Sequence, residues 1–118
     1  MYFTYMIRTD RGTIYTGICT DVARRMKEHR SGGALCAKYT RSRPVVALEA
    51  LWSSETRSAA CRLEARIKAL SREKKERLIA EPRLFGFFFP ALEKEDYVHH
   101  PEAELSYYLT GRRPRRWL

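Results

Sequence analysis

The chain has 118 residues, 44% of them apolar, and carries 23 Lys and Arg against 14 Asp and Glu, a formal net charge of +9. That is enough for one domain with its own core, so a disordered tail and a multidomain enzyme are not expected. The longest near-apolar run, Leu84 to Leu92, is broken by Gly86 and Pro90, and no charged-then-apolar leader opens the chain, so neither a membrane span nor secretion is expected.

The charge is uneven. Residues 1–43 hold nine basic residues against three acids, whereas residues 83–118 hold six against five. A block of +6 points to a polyanionic partner, nucleic acid first. The plain alternative is a solubility surface in an Arg-rich chain, with 17 Arg to 6 Lys. The three cysteines, Cys19, Cys36 and Cys61, lack zinc spacing and read as reduced thiols of a cytoplasmic protein. No Asn or Gln occurs anywhere, so no site can use a neutral side-chain amide.

Tyr2 to Thr9 and Thr13 to Ile18 are rich in aromatic and β-branched residues and read as two strands. The intervening Asp10-Arg11-Gly12 suits a type I turn closed by a bulge with left-handed Gly. That loop sets paired positions to sum to 22, placing Tyr5 opposite Gly17 and Tyr15 opposite Ile7, with both tyrosines on one face. A two-residue loop would put them on opposite faces.

Thr20 is the expected N-cap of a helix to about Arg30, with Asp21 in its first turn. Val22 and Met26 mark its buried side, and Arg25 and His29, also four apart, share a neighbouring stripe. Ser31-Gly32-Gly33 ends it. After an irregular piece, Ala34 to Tyr39, Pro44 opens a third strand, Val45 to Trp52. Ser54 or Thr56 caps the next helix, with apolar Ala59, Ala60, Leu63, Ile67 and Leu70 at helical spacing. Ser71 starts another helix, with Lys74 where a capping box has Glu, and it runs to Ala80 before Pro82.

Beyond Arg83 the chain is harder to read. Phe85, Phe87, Phe88 and Phe89 are too apolar for a solvated linker, and if exposed they would form a patch for self-association or a partner. Glu102 to Leu109 suits a last helix ending near Gly111. The basic end from Arg112 to Trp117 reads as a frayed terminus, or as a clamp on a phosphate backbone.

Two tyrosines on one hairpin face, a small Gly17, an Arg and a His on the next helix and a lone Glu64 form a set suited to phosphodiester cleavage. Such chemistry needs a group to deprotonate water, a cation for the charge on phosphorus and a metal for the leaving oxygen. The plain readings are ordinary core aromatics for Tyr5 and Tyr15, surface charge for Arg25 and His29, and a salt bridge from Glu64 to Arg25.

The motif Tyr15-x-Gly17-x7-Arg25-x3-His29 resembles the GIY-YIG nuclease domain, with Phe3-Thr4-Tyr5 keeping only the Tyr of the first motif. Ala37-Lys38-Tyr39-Thr40-Arg41-Ser42-Arg43-Pro44 and Arg62-Leu63-Glu64-Ala65-Arg66-Ile67-Lys68 resemble the small stand-alone, YhbQ-like branch. The resemblance covers residues 2 to about 82. It implies an α/β (α+β) domain on a three-stranded antiparallel sheet over residues 1–82, with 83–118 as a C-terminal extension. It implies metal-dependent hydrolysis of DNA, of single-stranded, branched or damaged form. The alternative is a nucleic-acid-binding module of the same fold with weak turnover.

Carried over by position, Tyr5 and Tyr15 are the motif tyrosines, with Tyr5 acting as or supporting the general base. An ordinary Tyr titrates near pH ~10, so a metal or Arg must lower it. Arg25 would stabilise the pentacovalent phosphate and His29 would position water or shuttle a proton. Glu64 would bind Mg2+ or Mn2+. Gly17, Arg24, Lys27, Lys38, Tyr39, Arg41 and Arg43 would contact substrate. Many members carry an Asn near the site, a role with no counterpart in a chain without Asn.

Overall fold

The first two strands, β1 (Tyr2–Thr9) and β2 (Ile14–Cys19), form the expected hairpin in the expected register. Tyr5 pairs with Gly17 and Ile7 with Tyr15. The loop closes by Gly12 N–H to Thr9 O at 2.9 Å and Thr9 N–H to Thr13 O at 2.9 Å. Gly12 has φ +82°, the left-handed conformation that a side chain would resist. These features belong to a computed structural model that describes residues 1–31 and 44–112.

The sheet has four antiparallel strands, not three, in the order β2-β1-β3-β4. The third strand, β3, spans Val45–Ser54 and the added β4 only Val98–His99. Two residues without a flanking alternation leave no periodic signal, which is why β4 is invisible in the sequence. It pairs Trp52 with His99 and Ser53 with Val98.

Both faces of this small sheet are covered. Tyr5, Ile7, Leu48 and Leu51 meet Val22 and Met26 of α1 (Val22–Ser31) and Leu105 of α5 (Leu105–Thr110). On the other face Met6, Ala50 and Trp52 meet Leu63 and Ile67 of α2 (Arg57–Lys68) and Leu78 of α3 (Arg72–Ala80). Alternate residues of β1 therefore serve two separate cores, as the twofold pleat requires.

The helix ends follow local chemistry. Asp21, rather than Thr20, caps α1, its carboxylate accepting from Arg24 N–H at 3.1 Å. Thr56 caps α2 through Ala59 N–H at 3.1 Å, and Ser71 caps α3 through Lys74 N–H at 3.2 Å. Arg8 crosslinks these parts, donating to Glu49 of β3 at 2.9 Å and to Glu76 of α3 at 2.6 Å. Its partly buried, forked geometry suits such a double contact.

The residues past Pro82 pack back onto the sheet. Phe89 is buried, and Phe85 and Phe88 pack against the second core, Phe85 and Phe88 bounding the short helix α4 (Phe85–Phe88). Only Phe87 of the four rings is exposed, at 76%. Tyr97 O–H donates to Ala59 O at 2.7 Å, and His100 N–H to Leu51 O at 2.9 Å. Helix α5 ends at Gly111, φ +76°. Among the described residues no helix is long and apolar enough to cross a membrane.

Candidate active site

The hairpin and α1 bring four of the five expected catalytic residues together. Tyr5 Oη lies 2.8 Å from His29 Nε2, although 24 positions separate them. The Tyr15 ring is 5.6 Å from the His29 ring, edge-on, and 6.4 Å from that of Tyr5. Arg25, one turn before His29, donates to Ile18 O at 3.3 Å and to Glu28 at 3.2 Å. Its guanidinium also interacts with the Tyr5 hydroxyl. Tyr5 and His29 are fully enclosed, whereas Tyr15 and Arg25 are half-buried.

Gly17 makes this cluster possible. A Cβ there would fall 2.5 Å from Tyr5 Oη and 3.2 Å from Tyr15 Cε1. Gly17, which the resemblance places among the substrate contacts, leaves the space that the Tyr5 ring fills.

Burial sets the protonation states. It pushes the His29 imidazole down to about 4, helped by the neighbouring Arg25 charge and opposed by Glu28. The ring is neutral at pH 7, and Tyr5 Oη and His29 Nε2 share the 2.8 Å hydrogen bond, its direction set by the imidazole tautomer. Burial also pushes the Tyr5 phenol well above its ordinary value, and Arg25 pulls it down without prevailing. The expectation that Arg25 lowers Tyr5 holds as a direction, but desolvation is the larger effect. The adjacent Cys19 thiol is raised to about 11 by burial and stays protonated.

Glu64 lies on α2, whose core residues cover the opposite face of the sheet, although α2 also contacts edge strand β2. Its half-buried carboxylate pairs with Lys68 at 3.3 Å, one turn on, and not with Arg25, whose carboxylate partner is Glu28. Glu28 is a site residue that the motif does not mark, and its i+3 spacing from Arg25 is the sequence signal for such a pair. Arg24 and Lys27 are exposed on α1. Lys38, Tyr39, Arg41 and Arg43 lie outside the described residues.

Among the described residues no three His, Cys, Asp or Glu side chains gather as a metal-ligand group. A single carboxylate still fits a hard divalent ion that keeps several waters and takes phosphate oxygens as ligands. Glu64 is the residue of that kind, provided Lys68 swings aside.

Residues 1–77 match the family described as the GIY-YIG catalytic domain. The chain belongs to the GIY-YIG family. It is 44% identical over 84 residues to a UPF0213 protein of Fusobacterium nucleatum, an alignment covering 71% of this chain and 82% of that one. It is 49% identical over 78 residues to a UPF0213 protein of Halobacterium salinarum, covering 66% of this chain and 99% of the relative. The solution NMR structure of a UPF0213 protein of Bacillus halodurans is 44% identical, covers 68% of this chain and 84% of its own, and superposes with a TM-score of 0.45. These relatives are the small stand-alone GIY-YIG proteins the sequence motifs resemble. GIY-YIG membership implies a nuclease-type function, and the family generally uses divalent metals.

Proposed function

We propose that this GIY-YIG protein is a cytoplasmic, metal-dependent endonuclease that hydrolyses DNA phosphodiester bonds, with single-stranded or structured DNA as its substrate. The observation that carries the reading is the Tyr5–His29 hydrogen bond of 2.8 Å with Tyr15 and Arg25 beside it.

In this reading Tyr15 and Arg25, the half-exposed members, meet the substrate first. Arg25 holds the charge that builds on the phosphate oxygens. An anionic phosphate there offsets the guanidinium charge that depresses His29, so the imidazole moves back toward its ordinary range and becomes a better acceptor. In the tautomer with Nε2 unprotonated, the attacking water gives its proton to the Tyr5 hydroxyl as the Tyr5 proton passes to His29 Nε2. Glu64 would hold Mg2+ or Mn2+, which when bound polarises the phosphate and eases departure of the leaving oxygen. Exposed Arg24 and Lys27 hold the strand, with Lys38, Tyr39, Arg41 and Arg43 as further contacts.

The test is cleavage of plasmid and oligonucleotide substrates with Mg2+ or Mn2+ by the native protein, Arg25→Ala and Glu64→Ala. Cleavage by the native protein alone supports the assignment. Equal cleavage by all three assigns the activity to a contaminant or to other residues.

A second reading, a binding module with weak turnover, is favoured by the enclosure of Tyr5 and His29 and by the Glu64–Lys68 pair. It predicts salt-dependent DNA binding that survives Glu64→Ala, with no cleavage under either metal.

A further inference from the structure

On the far side of the sheet from the Tyr5–His29 cluster, a cavity of about 250 Å3 opens between β3 and the segment after Pro82. Trp52, Phe85, Tyr97 and His99 give it four rings, and Arg83 and Lys94 stand at it without any lining carboxylate. Trp52 is 2% exposed and forms its floor. The Phe85 ring lies 6.0 Å from Trp52 and 5.5 Å from Tyr97, and His99 lies 5.5 Å from Trp52. Apart from Trp52, all these residues lie beyond the region matched to the family, residues 1–77.

Gly86 shapes the opening. Any side chain at this position would run into the Lys94 Cε and Nζ, so glycine is what lets the Lys94 ammonium lie there. Arg83 is tied to Glu81 at 2.7 Å, whereas Lys94 has no carboxylate partner among the described residues.

The volume is below the range of about 300–1,000 Å3 usual for drug-sized ligands, so the cavity suits one planar ring system. Aromatic walls favour a flat π-system, and every nucleobase offers one. An ammonium at the opening, with no carboxylate among the lining residues and Glu81 engaged by Arg83, disfavours a cationic guest and favours one carrying phosphate. We propose that this cavity is a mononucleotide site, the base held against Trp52, Phe85 and Tyr97 and the phosphate at Lys94. The guest is a free nucleotide or the terminal nucleotide of a DNA strand, which share this chemistry. The site stands on its own observations and does not depend on nuclease activity.

The experiment is a titration of the full chain, followed by two-dimensional NMR of the indole N–H signals. Trp117→Phe identifies which of the two indoles is Trp52. The probes are a deoxynucleoside 5′-monophosphate, the matching nucleoside, inorganic phosphate, and short oligonucleotides with and without a 5′-phosphate. The monophosphate should shift the Trp52 signal saturably and bind at least about tenfold more tightly than the nucleoside. Exposed Lys94→Ala should remove most of that advantage, and Gly86→Ala, which displaces the same ammonium, should do likewise while the fold is retained. A stronger response to the phosphorylated oligonucleotide than to the free nucleotide assigns the guest to a strand end, and the reverse to a free nucleotide. The proposal is overturned if no probe moves Trp52, or if Lys94→Ala leaves nucleotide and nucleoside affinities as they were.

Discussion

The Tyr5 hydroxyl and Nε2 of His29 share a hydrogen bond of 2.8 Å, joining the first strand to the first helix inside the protein. Both side chains are shut off from water, at 0% and 1% exposure. Removing the hydroxyl in Tyr5→Phe leaves a buried imidazole nitrogen without its hydrogen-bond partner. Such an orphan costs about 1–3 kcal/mol. Urea unfolding should show a loss of that size, and DNA cleavage should fall by about 10² or more, the usual contribution of a proton-transfer group. Full activity in Tyr5→Phe would remove the phenol from the chemistry.

The same burial makes stability depend on pH. His29 is neutral in the folded chain down to about pH 4, whereas in the unfolded chain it titrates near its ordinary value of 6.5. Between these values the unfolded state binds more protons, so stability is lost as pH falls from 6.5 towards 4 and is fully present above that window. The difference is on the order of 3 kcal/mol. Native protein should lose this much more over the window than His29→Gln, measured by chemical denaturation at each pH. Parallel pH curves for the two proteins would exclude His29 as the source.

Gly17→Ala tests why the glycine is there. Its Cβ would meet Tyr5 Oη at 2.5 Å and Cζ at 2.7 Å. Overpacking of this kind costs about 1–3 kcal/mol. Removing the hydroxyl first relieves the closest contact, so the alanine should cost less in a Tyr5→Phe background than in the native one. A double-mutant cycle should therefore give a coupling of about 0.5 kcal/mol or more. Additive effects would mean that the two residues do not share this space.

Much of this cluster is legible in the sequence because the hairpin register is. A three-residue loop ending in Gly12 sets Tyr5 opposite Gly17, and the spacing of Val22 and Met26 turns Arg25 and His29 towards the same strands. What is not legible is long-range. Glu64 carries a local cue for its partner, Lys68 four positions on, but nothing local tells on which face of the sheet that pair will lie. Nor do two residues, Val98 and His99, announce a fourth strand, whose existence rests on pairing with Trp52 and Ser53 nearly fifty positions away. The Phe-rich segment shows the same limit: composition marks it as apolar, but only the fold decides that Phe89 goes inside and Phe87 stays out.

Arg25 acts on His29 through its charge, apart from the substrate role proposed for it. Of the causes that lower the imidazole, burial is the larger and Arg25 the second. Arg25→Ala should therefore raise the His29 titration midpoint from about 4 part of the way towards 6.5, because burial remains. NMR titration of the His29 ring protons measures it directly and needs no nuclease assay. An unmoved or lowered midpoint would contradict the placement of the guanidinium beside the Tyr5–His29 pair.

Lys68 holds one oxygen of Glu64 at 3.3 Å and so competes with the divalent ion proposed for that carboxylate. A helical i,i+4 pair with one exposed partner contributes about 0.3–0.5 kcal/mol, little enough for an ion to displace it. Lys68→Ala removes the competitor and should lower the Mn2+ concentration needed for half-maximal cleavage while hardly changing stability. Glu64→Gln removes the anionic donor but keeps the shape, and should abolish metal-stimulated cleavage at all Mn2+ concentrations. If Lys68→Ala raises the Mn2+ requirement instead, the lysine is assisting substrate rather than competing for the carboxylate. Cleavage that persists unchanged in Glu64→Gln would move the metal to other oxygen donors.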